Sequence, residues 1–164
     1  MNRWGFPGDV GAIDCTHVAI LKPKADEHNF LNRNNFHSIN TQIICDSDLK
    51  IRNIFASYGG ATHDSSIWNQ SAIKEFMQGV HANGERSWLI GDSGYPLSPF
   101  LMIPVREAEE DSPESRFNQA YARARNCIEI CIGLLKIRFR CILKEITATP
   151  DFAVKLKKSL CNTA

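Results

Sequence analysis

The chain predicts an α/β domain, a mixed sheet with helices packed on it. Three runs rich in β-branched and apolar residues fill its N-terminal third, and turn residues end each of them. Helical and strand-like segments then alternate towards the C-terminus, as expected of a sheet covered by helices. With 164 residues, 43% of them hydrophobic and 23% charged, the chain can bury one real core.

Strand one is read in "VGAIDCTHVAILKP", where β-branched and apolar residues flank Asp14 and Pro23 ends the run. "KADEHNFLNRNNF" is polar and Asn-rich and predicts a loop or hairpin excursion. "HSINTQIICDSD" predicts a second strand closed by "DSD", and "LKIRNIFASYGG" a third closed by Gly59 and Gly60, the two pairing as a hairpin. In "ATHDSSIWNQSAIKEFMQGV", Ile67, Trp68, Ile73 and Phe76 roughly follow a helical period, with Asp64 or Ser65 as N-cap and Gly79 as a stop. "SWLIGDSGYPL" again runs apolar residues into an acid, this time followed by a glycine turn, and "FLMIPV" predicts a short strand ended by Pro104. "REAEEDSPES" is acidic and turn-prone and predicts an exposed loop. The long helix runs from "RFNQAYARARN" to "RCILKEI", with Phe117, Ala120 or Tyr121, Ala124, Ile128, Ile132, Leu135 and Phe139 at three- and four-residue steps. The order strand, strand, strand, helix, strand, strand, helix is compatible with a ribonuclease-H-like fold in a single domain over residues 1–164.

No run of about 18 or more apolar residues occurs, so a membrane span is not expected. The N-terminus has no apolar segment of the secretory kind, and an intracellular protein is expected. The six cysteines lack paired C-x-x-C spacing and read as reduced, partly buried thiols; Cys127 and Cys131, four apart on the long helix, fit ordinary packing better than a shared metal. The net charge is only +1, but from Arg116 onward ten Lys/Arg face three acids. That basic third suits a polyanion, or is a solvated helix face with no binding role.

Three acids occupy segments otherwise suited to burial: Asp14 in strand one, Asp92 at the end of "WLIGD" and Glu129 on the long helix. A lone buried carboxylate is costly unless it is paired or bound to a cation, and three brought together raise one another's pKa values. Converging, they form a ligand set for Mg²⁺ or Mn²⁺, whose two-ion sites support phosphoryl transfer. Held apart, they cap element ends or pair locally, as Glu129 can with Arg125 one turn away.

The blocks "GAIDCTHVAI", "FLNRNNFHSINTQIICD", "YGGATHDSSIWNQS", "GDSGYPLSPFLMIPV" and "FNQAYARARNCIEICIGLLKIRFRCI" occur in one order from Gly11 to Ile142. In that order the chain resembles the catalytic domain of PIF/Harbinger-type DDE transposases, and more closely the domesticated, transposase-derived nucleases of that family. The resemblance implies a ribonuclease-H-like fold, with Asp14, Asp92 and Glu129 as a DDE triad holding a divalent cation, Mg²⁺ or Mn²⁺. It implies a nuclease that hydrolyses DNA phosphodiester bonds with water as first nucleophile, and strand transfer by a DNA 3′-hydroxyl in an active transposase. It further implies DNA as partner, a Myb-like DNA-binding protein as a second partner that also assists nuclear entry, and a location in the nucleus as well as the cytoplasm.

Other residues of these blocks carry two readings. His63 and Asp64 open a helix, where Asp is a common N-cap; Asp64 is also the best rival for a fourth ligand. Strand alternation puts Asp14 and Thr16 on one face and Cys15 and His17 on the other, so His17 is expected to point away from the metal site. Gly94, Tyr95 and Pro96 are expected to shape a turn after Asp92. Arg125, Lys136, Arg138 and Arg140 are candidate nucleic-acid contacts, although Arg125 and Lys136 can instead neutralise Glu129. Trp4, Trp68 and Trp88 are expected to pack instead of stacking on bases.

The resemblance also shows departures. Family members carry a helix-turn-helix-like region before the first acid block and continue further after "RFRCI", so a domain truncated at both ends is expected. The alternative to the nuclease is a non-catalytic, transposase-derived module that binds DNA or protein through its basic helix. A third possibility, a ribonuclease-H-like enzyme acting on RNA or hybrids, shares the chemistry but not the blocks.

Overall fold

The computed structural model describes residues 8–139. Trp4, Arg140, Cys141, Cys161 and the segment "RCILKEI" expected to end the long helix lie outside the described residues. Five strands and four helices follow in order: β1 (Asp9–Ala19), α1 (Glu27–Phe30), β2 (Ser38–Cys45), β3 (Ile51–Gly59), α2 (Asp64–Asn69), α3 (Ala72–Ala82), β4 (Trp88–Ile90), β5 (Leu101–Met102) and α4 (Pro113–Arg138).

The strands form one mixed sheet in the order β3-β2-β1-β4-β5. β1, β2 and β3 are an antiparallel meander, whereas β4 lies parallel to β1 and β5 parallel to β4. This is the ribonuclease-H-like α/β arrangement. Each parallel step needs a crossover, and α2 and α3 supply the one from β3 to β4.

Helices cover both faces of the sheet. Ala12, Val18, Ile43 and Ile90 pack with Tyr121, Ala124, Ile128, Ile132 and Leu135 of α4. Ile13, Ile44, Leu89 and Leu101 pack with Trp68 of α2 and Met77 of α3 on the other face. Alternate residues of β1 thus serve opposite layers, which explains why the strand is apolar on both sides of Asp14. Trp68 is fully buried and Trp88 is packed against the α4 layer, as expected of packing residues.

Three local readings change. The segment expected to be one helix is two, because buried Ser71 breaks it: its Oγ donates to the Trp68 carbonyl oxygen at 2.8 Å, and its extended backbone restarts the chain as the N-cap of α3. The Asn-rich excursion contains the single turn α1. Helix α4 begins inside the acidic loop, since the Ser112 hydroxyl accepts from the Ser115 amide, Pro113 occupies the first turn and Glu114 complements the dipole.

Tyr121 joins α4 to the ends of both short strands. Its hydroxyl lies 2.5 Å from the Gly91 carbonyl oxygen and 2.7 Å from that of Met102. Removing that hydroxyl takes a donor from the buried Gly91 carbonyl, while the Met102 carbonyl keeps the Gly91 amide. Tyr121→Phe is therefore expected to lower unfolding free energy by about 1–2 kcal/mol in urea denaturation. An unchanged midpoint would show that the contact does not tie the helix to the strand ends.

Candidate functional site

Register explains why two acids meet. Ala12 of β1 pairs with Ile90 of β4 in parallel, so Asp14 and Asp92, each two residues further on, arrive side by side. A third acid comes from α2, which begins at Asp64 after Gly59 and Gly60 turn the chain off β3. Asp14, Asp64 and Asp92 each present a carboxylate oxygen, and these oxygens lie within 4.8 Å of one another. Among the described residues, no other group of His, Cys, Asp or Glu has such spacing.

Each carboxylate is aimed by its neighbours. Asp14 accepts from the Cys15 amide at 2.8 Å and from Arg125 Nη2 at 2.6 Å. Asp92 accepts from the Gly94 amide at 2.9 Å, and the Tyr95 amide donates to the Asp92 carbonyl oxygen, which is the shaping turn expected of "GDSGYP". Asp64 does not cap α2. The N-cap is His63 without a side-chain cap bond, and Asp64 Oδ1 accepts instead from Asn40 Nδ2 at 2.7 Å. The capping expectation is thus corrected, because Asn40 on β2 supplies a better-placed donor.

Glu129 lies outside this group. Its carboxylate is 58% exposed and accepts from Arg125 Nη1 at 2.7 Å, while the other arm of the same guanidinium holds Asp14. One arginine therefore separates Glu129 from the three aspartates. Arg125 is occupied by these two carboxylates and is 17% exposed, which leaves it little reach towards a nucleic acid. Lys136 is half-buried and Arg138 exposed at the C-terminal end of α4.

A cleft of about 470 Å³ opens beside the carboxylates, and Asp64, Asp92 and His17 all line it. His17 thus faces the site region, contrary to the expectation from strand alternation. Alternation separates its side chain from that of Asp14, but the cleft is lined by His17 of β1 and Asn40 of β2 together with Asp64 of α2 and Asp92. Burial is the main cause that holds the His17 imidazole below its ordinary pKa; Asp64 opposes this, and Arg33 and Lys136 add to it. Asn40 was not singled out in the sequence, where it is one of several polar residues, with Ser38, Thr41 and Gln42, in the second predicted strand.

The donor set suits a hard divalent cation: three carboxylate oxygens, no thiolate and no imidazole among them. Burial is the largest influence on Asp14 and raises its pKa above the ordinary 3.8; Asp92 and Asp64 add to that, while Arg125 and the Cys15 amide oppose it. The sign follows for stability. A raised carboxylate favours the folded state below its unfolded pKa, and that contribution is lost as pH rises through the folded value. Above that window the ionised Asp14 works against the fold, and a bound cation would relieve it.

Two outcomes are expected. Asp92→Asn removes one of three crowded charges, so in EDTA its Tm rises by about 2–4 °C in thermal unfolding, while the Mg²⁺-induced rise of the wild type disappears. Second, Mg²⁺ binding followed by calorimetry strengthens as pH rises through the raised range in which Asp14 loses its proton. A Tm indifferent to Mg²⁺ in the wild type would contradict both.

Comparison with known proteins places this geometry. The DDE superfamily endonuclease family matches residues 13–161. "Putative nuclease HARBI1" from Bos taurus is 35% identical over 139 residues, covering 84% of this chain and 39% of that protein. The Homo sapiens protein of the same name is 34% identical with the same coverage, and "Protein ALP1-like" from Arabidopsis thaliana is 28% identical over 160 residues, 90% of this chain and 39% of that one. The chain thus spans about two fifths of the length of these relatives. No solved structure matches it. With the family match running through all three aspartates and α4, the chain belongs to the DDE superfamily endonuclease family.

Proposed function

We propose that this chain is the catalytic core of a transposase-derived, divalent-metal-dependent DNA endonuclease. The observation that carries the reading is the meeting within 4.8 Å of Asp14 from the middle of β1, Asp92 just past the end of the parallel strand β4 and Asp64 from the start of α2. Membership of an endonuclease family and the nuclease named among the relatives support it. DNA as substrate makes the nucleus the expected place of action. Entry there with a Myb-like partner remains part of the proposal, resting on the resemblance alone.

Asp14 and Asp92 would hold the cation, Mg²⁺ or Mn²⁺, with Asp64 as the third oxygen donor and Glu129 as the rival for that place. When bound, such an ion supplies charge neutralisation and makes a water nucleophile available near neutral pH for attack on a phosphodiester. The chain's own residues prepare the site. Asn40 fixes the Asp64 carboxylate, the Gly94 amide fixes that of Asp92, and the Cys15 amide with Arg125 fixes that of Asp14. Arg125 also keeps the crowded acids tolerable by pairing with one of them. Lys136 and Arg138, with Arg140 beyond the described residues, are proposed to meet DNA phosphates along the end of α4.

One assay tests the reading and decides between the two third ligands. Purified wild-type protein is expected to nick supercoiled plasmid with Mg²⁺ or Mn²⁺ and not in EDTA, and Asp14→Asn and Asp92→Asn to lower the rate by about a thousandfold or more. If Asp64 completes the set, Asp64→Asn matches that loss and Glu129→Gln falls well short of it; if Glu129 does, the order reverses. Wild-type protein that never nicks with either ion, or an Asp92→Asn variant that nicks equally well, leaves the non-catalytic binding module as the better reading.

A further inference from the structure

Arg125 brings positive charge to the carboxylate site from α4. It lies one turn before Glu129 and directly after the buried Ala124, and its side chain is 17% exposed. Nη2 donates to Asp14 Oδ2 at 2.6 Å and Nη1 to Glu129 Oε1 at 2.7 Å. Nε is buried and has no hydrogen-bond partner among the described residues. A buried donor without a partner works against the fold, and a long side chain on a helix face ordinarily turns its charged head to water. Two carboxylates therefore hold this guanidinium inward against a cost.

Asp14 belongs to two sets at once. It is one of the three aspartates whose oxygens lie within 4.8 Å, and it is one end of the bridge that runs through Arg125 to Glu129. Its Oδ1 takes the Cys15 amide and its Oδ2 takes Arg125, so both oxygens are already engaged. Burial is what raises the Asp14 pKa most, and of the two influences that oppose it, Arg125 and the Cys15 amide, only the guanidinium carries charge. Among the described residues, no other Lys or Arg forms an ion pair with Asp14, Asp64, Asp92 or Glu129.

A guanidinium and a divalent cation are alternatives for such a carboxylate. Each neutralises it, and two positive charges drawn to the same oxygens repel each other. The guanidinium also has somewhere to go. Glu129 is 58% exposed and holds it by the arm that does not touch Asp14, so that arm can stay bound while the other lets go. The contrary role, in which Arg125 supports Asp14 as a ligand by hydrogen bonding, makes its removal weaken cation binding, whereas competition makes its removal strengthen it.

We propose that Arg125 is a resident counter-cation: it occupies Asp14 in the metal-free protein, competes with the divalent cation for that carboxylate, and withdraws to Glu129 when the cation binds. This assignment deepens the nuclease reading above and rests on its metal site. The clasp keeps the acids tolerable before the site is loaded, and it raises the cation concentration at which the site fills. One side chain thereby links metal binding to the stability of the metal-free fold.

The test is Mn²⁺ binding to the full chain by calorimetry, comparing the wild type with Arg125→Gln and Arg125→Lys. Arg125→Gln keeps a donor and loses the charge; it is expected to bind Mn²⁺ about tenfold or more tightly than the wild type, the scale of one charge-assisted hydrogen bond, and to melt lower in EDTA. Arg125→Lys keeps the charge and is expected to bind more nearly as the wild type does. A readout on the wild type itself covers the case in which Arg125→Gln does not fold. The two Nη signals of Arg125 in nitrogen NMR are expected to be separate without metal, because both arms are held, and to merge when Mg²⁺ is added. Equal or weaker Mn²⁺ binding by folded Arg125→Gln, or Nη signals unchanged at saturating Mg²⁺, overturns the assignment. Plasmid nicking with Mn²⁺ reports separately. Tighter binding by Arg125→Gln with no nicking by the wild type upholds the clasp and sinks the nuclease reading alone, whereas wild-type nicking with equal or weaker binding by Arg125→Gln does the reverse.

Discussion

Crowding three negative charges within 4.8 Å is the constraint around which this domain is arranged. Partly buried like charges repel, and burial itself penalises their ionised forms. The fold meets that cost with groups that favour the carboxylates: two backbone amides, one asparagine amide and one guanidinium. Every one of these donors belongs to an element whose position is set by the sheet. The arrangement is therefore tolerable only when the whole core is assembled.

The parallel β1–β4 step does most of the positioning. It is short, with three residues in β4, yet it brings Asp92, just past the end of β4, beside Asp14 in the middle of β1. Helix α4 braces it by packing on the central strands and by the Tyr121 hydroxyl at Gly91, the residue immediately before Asp92. The same helix contributes Arg125, which divides its charge between Asp14 and Glu129. Stability and site geometry are thus carried by one element. A change in α4 is felt in the carboxylates even where it touches none of them.

The same arrangement reaches the cleft beside the carboxylates. The amide nitrogen of the buried Asn40 orients Asp64 from that side. Strand β2 is buried along its whole length, and a polar side chain there is held firmly. A rigid strand holds the partner of a carboxylate more precisely than a surface loop does.

Much of the architecture was legible from periodicity alone. The three-strand meander, the crossover and the long helix follow from β-branched runs, turn residues and three- and four-residue apolar steps, and Tyr121, Ala124, Ile128, Ile132 and Leu135 of α4 are buried where the spacing put them. The break at Ser71 was not legible, because the Trp68 carbonyl contact that makes it depends on Trp68 being anchored in the core. Asp14 and Asp92 stood out by themselves as acids at the heart and end of apolar strands. Whether Asp64 or Glu129 lies with them is a question of distance between elements, and periodicity carries no such information. The sequence by itself determined the strands, the helix and the supply of acids, since those follow from local pattern. Only tertiary structure decided that Asp64 joins Asp14 and Asp92, that Arg125 stands between Asp14 and Glu129, and that His17 and Asn40 line one cleft, because those relations exist only after register and helix packing bring distant segments together.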